Sequence, residues 1–125
     1  MWDAAALDTP VTEVYSRAMA RKSMGKQLDL LLLSALSSAP AHGYAVIEEL
    51  RRRSEGVFDL PESTVYPALH RLEQAKLLES EWGEVGGRRR RVYQLTDKGR
   101  SALRERRREW TRLRRGIGAA IGEAG

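Results

Sequence analysis

Gly86-Gly87 is followed by four consecutive arginines, Arg88 to Arg91, and then by Val92-Tyr93-Gln94-Leu95-Thr96. A guanidinium stays charged at neutral pH and offers five N–H donors in a rigid fork, a geometry suited to carboxylate or phosphate. Like charges in a row repel, so such a run favours a nearby polyanion. A second polar group lies upstream, at Ser63, Thr64, Tyr66, His70 and Arg71. These are the hydroxyl, aromatic and basic types that meet phosphates and base edges. Neither group makes a catalytic centre. The chain has no cysteine, and its two histidines, His42 and His70, fall on different expected helices. No phosphate-cradling Gly-rich loop follows a strand, and no His–carboxylate–hydroxyl set can be argued into one pocket. The expectation is a protein that is not an enzyme and holds no cofactor and no metal.

The 22 Lys and Arg are unevenly placed: residues 86–115 hold 13 of them against 3 Asp/Glu, whereas residues 1–85 hold 9 against 13. That concentration points to a polyanionic partner, nucleic acid before membrane. The solvated face of a long helix would give the same count. The opening residues MWDAAALDTP lack the basic start and apolar run of a signal peptide. The most apolar stretch, LDLLLLSAL over 28–36, is too short to span a bilayer and contains Asp29. It reads as a core helix of a soluble protein, and the absence of cysteine is compatible with a reducing cytoplasm.

The elements that must position these residues follow from periodicity. Thr9 can cap a helix with Pro10 at its first position, and Val11, Val14, Tyr15, Ala18 and Met19 repeat at helical spacing. An extra N-terminal amphipathic helix is therefore expected within an extension over 1–25. A helix from Lys26 to Ser38 is apolar almost all round, and another from Tyr44 to Ser54 buries Val46, Ile47 and Leu50. Between Pro61 and Lys76, Val65, Ala68, Leu69 and Leu72 form a core face opposite Ser63, Thr64, Tyr66, His70 and Arg71. Pro67 should kink or loosen the early turns of that helix.

The period then changes to two. Leu78, Ser80 and Trp82 alternate with Glu79 and Glu81, and Tyr93 and Leu95 alternate with Val92 and Gln94. This predicts a β-hairpin whose loop contains Gly83, Gly86 and Gly87, with Arg88, Arg89 and Arg90 at its basic tip. Arg91 enters the strand, where Glu79 or Glu81 can pair with it. Thr96 caps a last helix, with Asp97 complementing its dipole. Leu103, Trp110 and Ile117 are spaced by seven, with Leu113 between the last two, so a thin apolar seam runs along an arginine-rich rod. Such a seam packs against one partner helix, as in a coiled coil. Beyond Gly116 the small residues should fray.

Three helices followed by a hairpin is the layout of a winged helix-turn-helix, in which the third helix enters the major groove and the hairpin lies beside the same duplex. The fold class expected is α+β, mainly α: a winged helix-turn-helix domain over 26–95, a C-terminal dimerisation helix and tail over 96–125, and the extra N-terminal helix.

His42-Gly43-Tyr44, the run LPESTVYPALHRLE over 60–73, LLESEW over 77–82, and GGRRRRVYQLT with Lys98-Gly99 together resemble the PadR-type transcriptional regulators. The resemblance covers about residues 26–115. It implies a sequence-specific DNA-binding transcriptional regulator, a repressor that binds an inverted-repeat operator as a homodimer. By position, Ser63, Thr64 and Tyr66 match the start of the family's recognition helix, and Gly86, Gly87 and the arginines from Arg88 match its wing. The helix from Asp97 matches the dimerisation helix, and its single copy resembles the short branch of the family. Some short members stack flat aromatic drugs on a tryptophan at the dimer centre, and Trp110 occupies the matching place. The resemblance thus implies an aromatic or hydrophobic small-molecule effector for this chain, besides double-stranded DNA and a second copy of itself. Two positions depart from the pattern: Ser63 and Lys76 both stand where glycine is common. The competing reading is a winged-helix module that binds a protein or RNA without operator specificity.

Overall fold

The computed structural model describes residues 25–123, so the amphipathic segment expected from Thr9 to Met19 lies outside the described residues. The first described helix, α1, runs over 25–35. Ser37 closes it earlier than expected, because its amide and hydroxyl both donate to the Ser34 carbonyl. Leu32 and Leu33 are fully buried, as an all-round apolar helix requires.

Ala41–His42 form a two-residue strand, β1, which periodicity could not reveal. The pair is too short to show alternation and is strand only because it adds to another strand's edge. His42 then caps α2 (Gly43–Arg53): the Ala45 amide donates to its Nδ1 at 3.4 Å. α2 buries Val46, Ile47 and Leu50, and its surface pairs Glu48 and Glu49 with Arg51, Arg52 and Arg53.

α3 spans Glu62–Gln74 and buries Val65, Ala68, Leu69 and Leu72, the face read from the sequence. It runs through Pro67 as a continuous helix. Its end resolves the question raised by Lys76, which takes the left-handed conformation at φ 67°. The Leu77 amide donates to the Leu72 carbonyl and the Lys76 amide to that of Glu73, both at 3.0 Å. This pattern satisfies the carbonyls left over at a helix end, a task glycine performs with less strain.

Strands β2 (Leu78–Val85) and β3 (Arg88–Leu95) pair in full register, from Leu78 opposite Leu95 to Val85 opposite Arg88. The expected loop is much shorter than the sequence suggested. Gly83 lies within β2 opposite Arg90, and only Gly86-Gly87 turn the chain, at φ 61° and 76°. Positive φ at both central residues is the turn whose twist suits a two-residue hairpin. All four arginines therefore belong to β3, not to a loop tip. The sheet order is β1-β3-β2.

The last helix, α4, runs Asp97–Ala120 and continues past Gly116, where fraying was expected. Thr96 caps it, accepting from the Gly99 amide at 3.0 Å and donating its own hydroxyl to the Lys76 carbonyl at 2.6 Å. A Cβ on Gly99 would come within 2.0 Å of the Leu77 carbonyl oxygen, so only glycine lets α4 leave the sheet here. Leu103 joins the core of α1, α2, α3 and the sheet. Burying each such leucine stabilises the fold by about 1.5–3 kcal/mol. Among the described residues no helix is long and apolar enough to cross a membrane. Nor do any of them gather three or more His, Asp or Glu side chains in a way that could hold a metal ion.

Candidate nucleic-acid interface

With its core face buried, α3 leaves Ser63, Thr64, Tyr66 and His70 exposed on the other side. Tyr66 is also fixed. A Cβ on Gly43 would lie 2.6 Å from Tyr66 Cε1 and 3.0 Å from its Oη, so the phenol fills the space that glycine leaves at the start of α2. Two separate sequence features, His42-Gly43-Tyr44 and the tyrosine of α3, are thus one contact that closes the helix-turn-helix. His70 Nε2 lies 3.2 Å from the Gln74 side-chain amide.

Arg71 behaves differently from its expected role on that face. Its fork grips Asp29 of α1, with Nη2 donating to Oδ1 at 2.6 Å and Nη1 to Oδ2 at 3.1 Å. Asp29 is only 7% exposed. Arg106 of α4 also approaches it, with Nη1 at 3.3 Å from Oδ2, though poorly aligned for a hydrogen bond. The hydrogen bonds from Arg71 to Asp29 raise the arginine's pKa, against a smaller opposing effect of burial. Its neighbour along the chain, Glu73, instead accepts from Ser80. Arg71 ties α3 to α1.

Strand geometry divides the arginines of the wing, since successive side chains point to opposite faces. Arg89 and Arg91 share the face of Tyr93 and Leu95; Arg88 and Arg90 share the other with Val92. Arg91 Nε donates to Ser80 Oγ at 2.8 Å, and its Nη2 lies 3.7 Å from Glu73 Oε2. Ser80 in turn donates to Glu73. The expected partners were Glu79 or Glu81, but Glu79 accepts from Gln94 at 2.9 Å. The reason is the pleat: Glu79 and Glu81 point away from the face that Arg91 occupies. The triad Glu73–Ser80–Arg91 fastens the wing to α3.

On the opposite face, the field of Arg90 reaches His42. Burial lowers the His42 pKa below its ordinary value of 6.5, and Arg90 lowers it further. A neutral imidazole is what the cap needs, because Nδ1 must be free to accept from Ala45. Burial also raises the Tyr93 pKa, assisted by Glu73 and opposed by Arg91.

The C-terminal residues do not form one uniform seam. Leu103 is 3% exposed inside its own protomer, whereas Trp110, Leu113 and Ile117 are 41%, 53% and 48% exposed. Leu103 is therefore a core residue rather than part of an uncovered face. Trp110 borders a groove of about 400 Å³ between α1 and α4, which Lys26, Leu30, Arg106 and Leu113 also line. Two residues that sequence reasoning did not place in the site are Asp29 and Trp82. Asp29, an acid within an apolar helix, was the available signal for the first. For the second it was a tryptophan near the open end of an arginine hairpin.

Helices closed by a turn, an exposed helical face and an adjoining two-stranded wing define a winged helix-turn-helix protein. The model of the Transcriptional regulator PadR-like family matches residues 32–105, more than half of the chain. The chain belongs to this family, and is a DNA-binding transcriptional regulator. The transcriptional regulator Rv3488 of Mycobacterium tuberculosis is 41% identical over 88 residues, which cover 70% of this chain and 79% of that protein. A PadR family transcriptional regulator from Eggerthella lenta has a similar structure, with TM-score 0.63 and 34% identity over 90% of this chain and 94% of its own. A transcriptional regulator from Clostridium thermocellum reaches TM-score 0.71 at 26% identity, over 78% and 96% of the two chains.

Proposed function

We propose that the chain is a cytoplasmic, sequence-specific repressor that binds an inverted-repeat operator as a homodimer. The observation that carries this reading is the joining of α3 to the wing through Glu73, Ser80 and Arg91. A duplex whose major groove, about 12 Å wide, receives α3 meets β3 in the same docking. Ser63, Thr64 and Tyr66 open the reading face, with His70 one turn further on. Arg88, Arg89 and Arg90 supply affinity with little sequence preference, and Gly86-Gly87 let the turn approach the backbone. Arg71 acts from behind, orienting α3 against α1. The half-exposed row Trp110, Leu113 and Ile117, continued by Ile121, supports a helix-to-helix dimer. Two copies related by a twofold axis present two α3 helices to inverted half-sites. Trp110 beside its groove supports release by a flat aromatic or hydrophobic ligand stacked on the indole.

The test is titration of the DNA upstream of the protein's own gene against mixed-sequence duplex, over a range of salt. One segment should bind in preference, with log affinity falling by about 0.9 per neutralised phosphate for each unit of log salt. Replacing Arg88, Arg89 and Arg90 together by alanine should weaken binding to every sequence. The slope should drop by roughly one unit for each arginine that meets a phosphate. An unchanged slope in that variant overturns the role of the wing; preference for RNA or a protein over duplex overturns the operator. An effector, added to the same titration, must shift duplex affinity.

A further inference from the structure

Trp82 is an aromatic residue outside the core, 56% exposed, in the half of the wing farthest from the helices. Its side chain lies on the same face as Arg91, its cross-strand partner, and Arg89, one step diagonal. Both guanidiniums sit over the indole, Arg89 at 5.1 Å and Arg91 at 5.4 Å from the ring centroid. These distances are within the reach of a cation–π attraction, about 6 Å.

The two arginines are not equivalent. Arg91 is already held by Ser80 and Glu73. Arg89 makes no ion pair among the described residues, although Glu84 is its cross-strand partner. Among the described residues, the contact that holds it is the one with the indole. A contact with one ring takes up one side of a guanidinium, and its five N–H donors are enough to leave others for a phosphate.

Resting on the reading of the wing as a duplex contact, we propose that Trp82 is a positioning residue that presents Arg89 to a DNA phosphate. Arg91 braces the far side of this arrangement, linking it through Ser80 and Glu73 to α3. Four arginines that look alike in sequence then have separate tasks: Arg89 clamps, Arg91 braces, and Arg88 and Arg90 serve the opposite face.

The test uses the full chain and a mixed-sequence duplex about three helical turns long. Trp82→Ala should weaken binding by about 5–10-fold at fixed salt and lower the salt slope by no more than Arg89→Ala does, because the charge remains but is no longer held on the phosphate. Arg89→Ala should weaken binding and lower the slope by about one unit per clamped phosphate. Trp82→Ala should add less than about twofold in the Arg89→Ala background. Trp82→Phe should restore most of the affinity, and Trp82→Leu, which keeps bulk without a π face, should not. Thermal melting of all variants separates loss of fold from loss of contact; if Trp82→Ala melts early, the Phe and Leu pair decides. Wild-type affinity in Trp82→Leu overturns the proposal, as do full additive losses in the double variant. Absence of salt-dependent duplex binding by the wild-type chain overturns both this proposal and the duplex reading.

Discussion

From Asp97 to Leu103, α4 is fastened to its own protomer: Thr96 caps it, Gly99 rests against the Leu77 carbonyl, Lys98 donates to the Ala75 carbonyl, and Leu103 enters the core. From Trp110 onward the same helix carries apolar side chains left about half exposed. The seven-residue spacing that links Leu103, Trp110 and Ile117 runs across both halves without a break. A heptad row therefore identifies a face of a helix and not what that face meets. The first half packs within the protomer, and the second is the part that the second copy of the proposed dimer would cover.

That division can be broken by placing the same charge in each half. Leu103→Asp puts an unpaired carboxylate into the buried apolar core, and should cost roughly 3–5 kcal/mol or more, read as loss of the folded baseline in urea melts. Ile117→Asp should leave the protomer folded and weaken self-association by about 100-fold, near 2.7 kcal/mol, with operator affinity falling alongside. Sedimentation at several concentrations reads this directly. A dissociated but folded Leu103→Asp variant, or an unfolded Ile117→Asp variant, would erase the distinction. The finest test lies at the junction. Thr96→Ala removes the cap and should cost about 1 kcal/mol of stability with no change in self-association once the chain is folded.

Much of the scaffold is legible in the sequence. The buried face of α3, the core of α1 and α2, the cap at Thr96 and the presence of a hairpin around its glycines are local matters of period and backbone conformation. β1 was not readable, since two residues carry no period and pair only because β3 is beside them. The length of the wing was hidden for a related reason. Four identical side chains cannot show alternation, so the arginines looked like a tip until pairing from Leu78–Leu95 outward carried the register through them.

The destinations of long side chains were the hardest to foresee. Arg71 passes over Glu73 beside it and reaches Asp29, 42 residues away; Arg91 passes over Glu79 and Glu81 and reaches Ser80 and Glu73. Charge and spacing offer several partners to a flexible guanidinium, at nearly equal energy in water. Packing removes the choice by burying one carboxylate and turning others to the opposite face of a sheet. Apart from β1 and the reach of β3, sequence alone determined which segments become helix and strand, where the core lies and where the positive charge gathers, because those follow from neighbours along the chain. Only the tertiary structure decided which arginine is held by Ser80 and Glu73, which makes no ion pair among the described residues, and which half of α4 is left half exposed. Those outcomes depend on which distant side chains folding brings within a few ångströms.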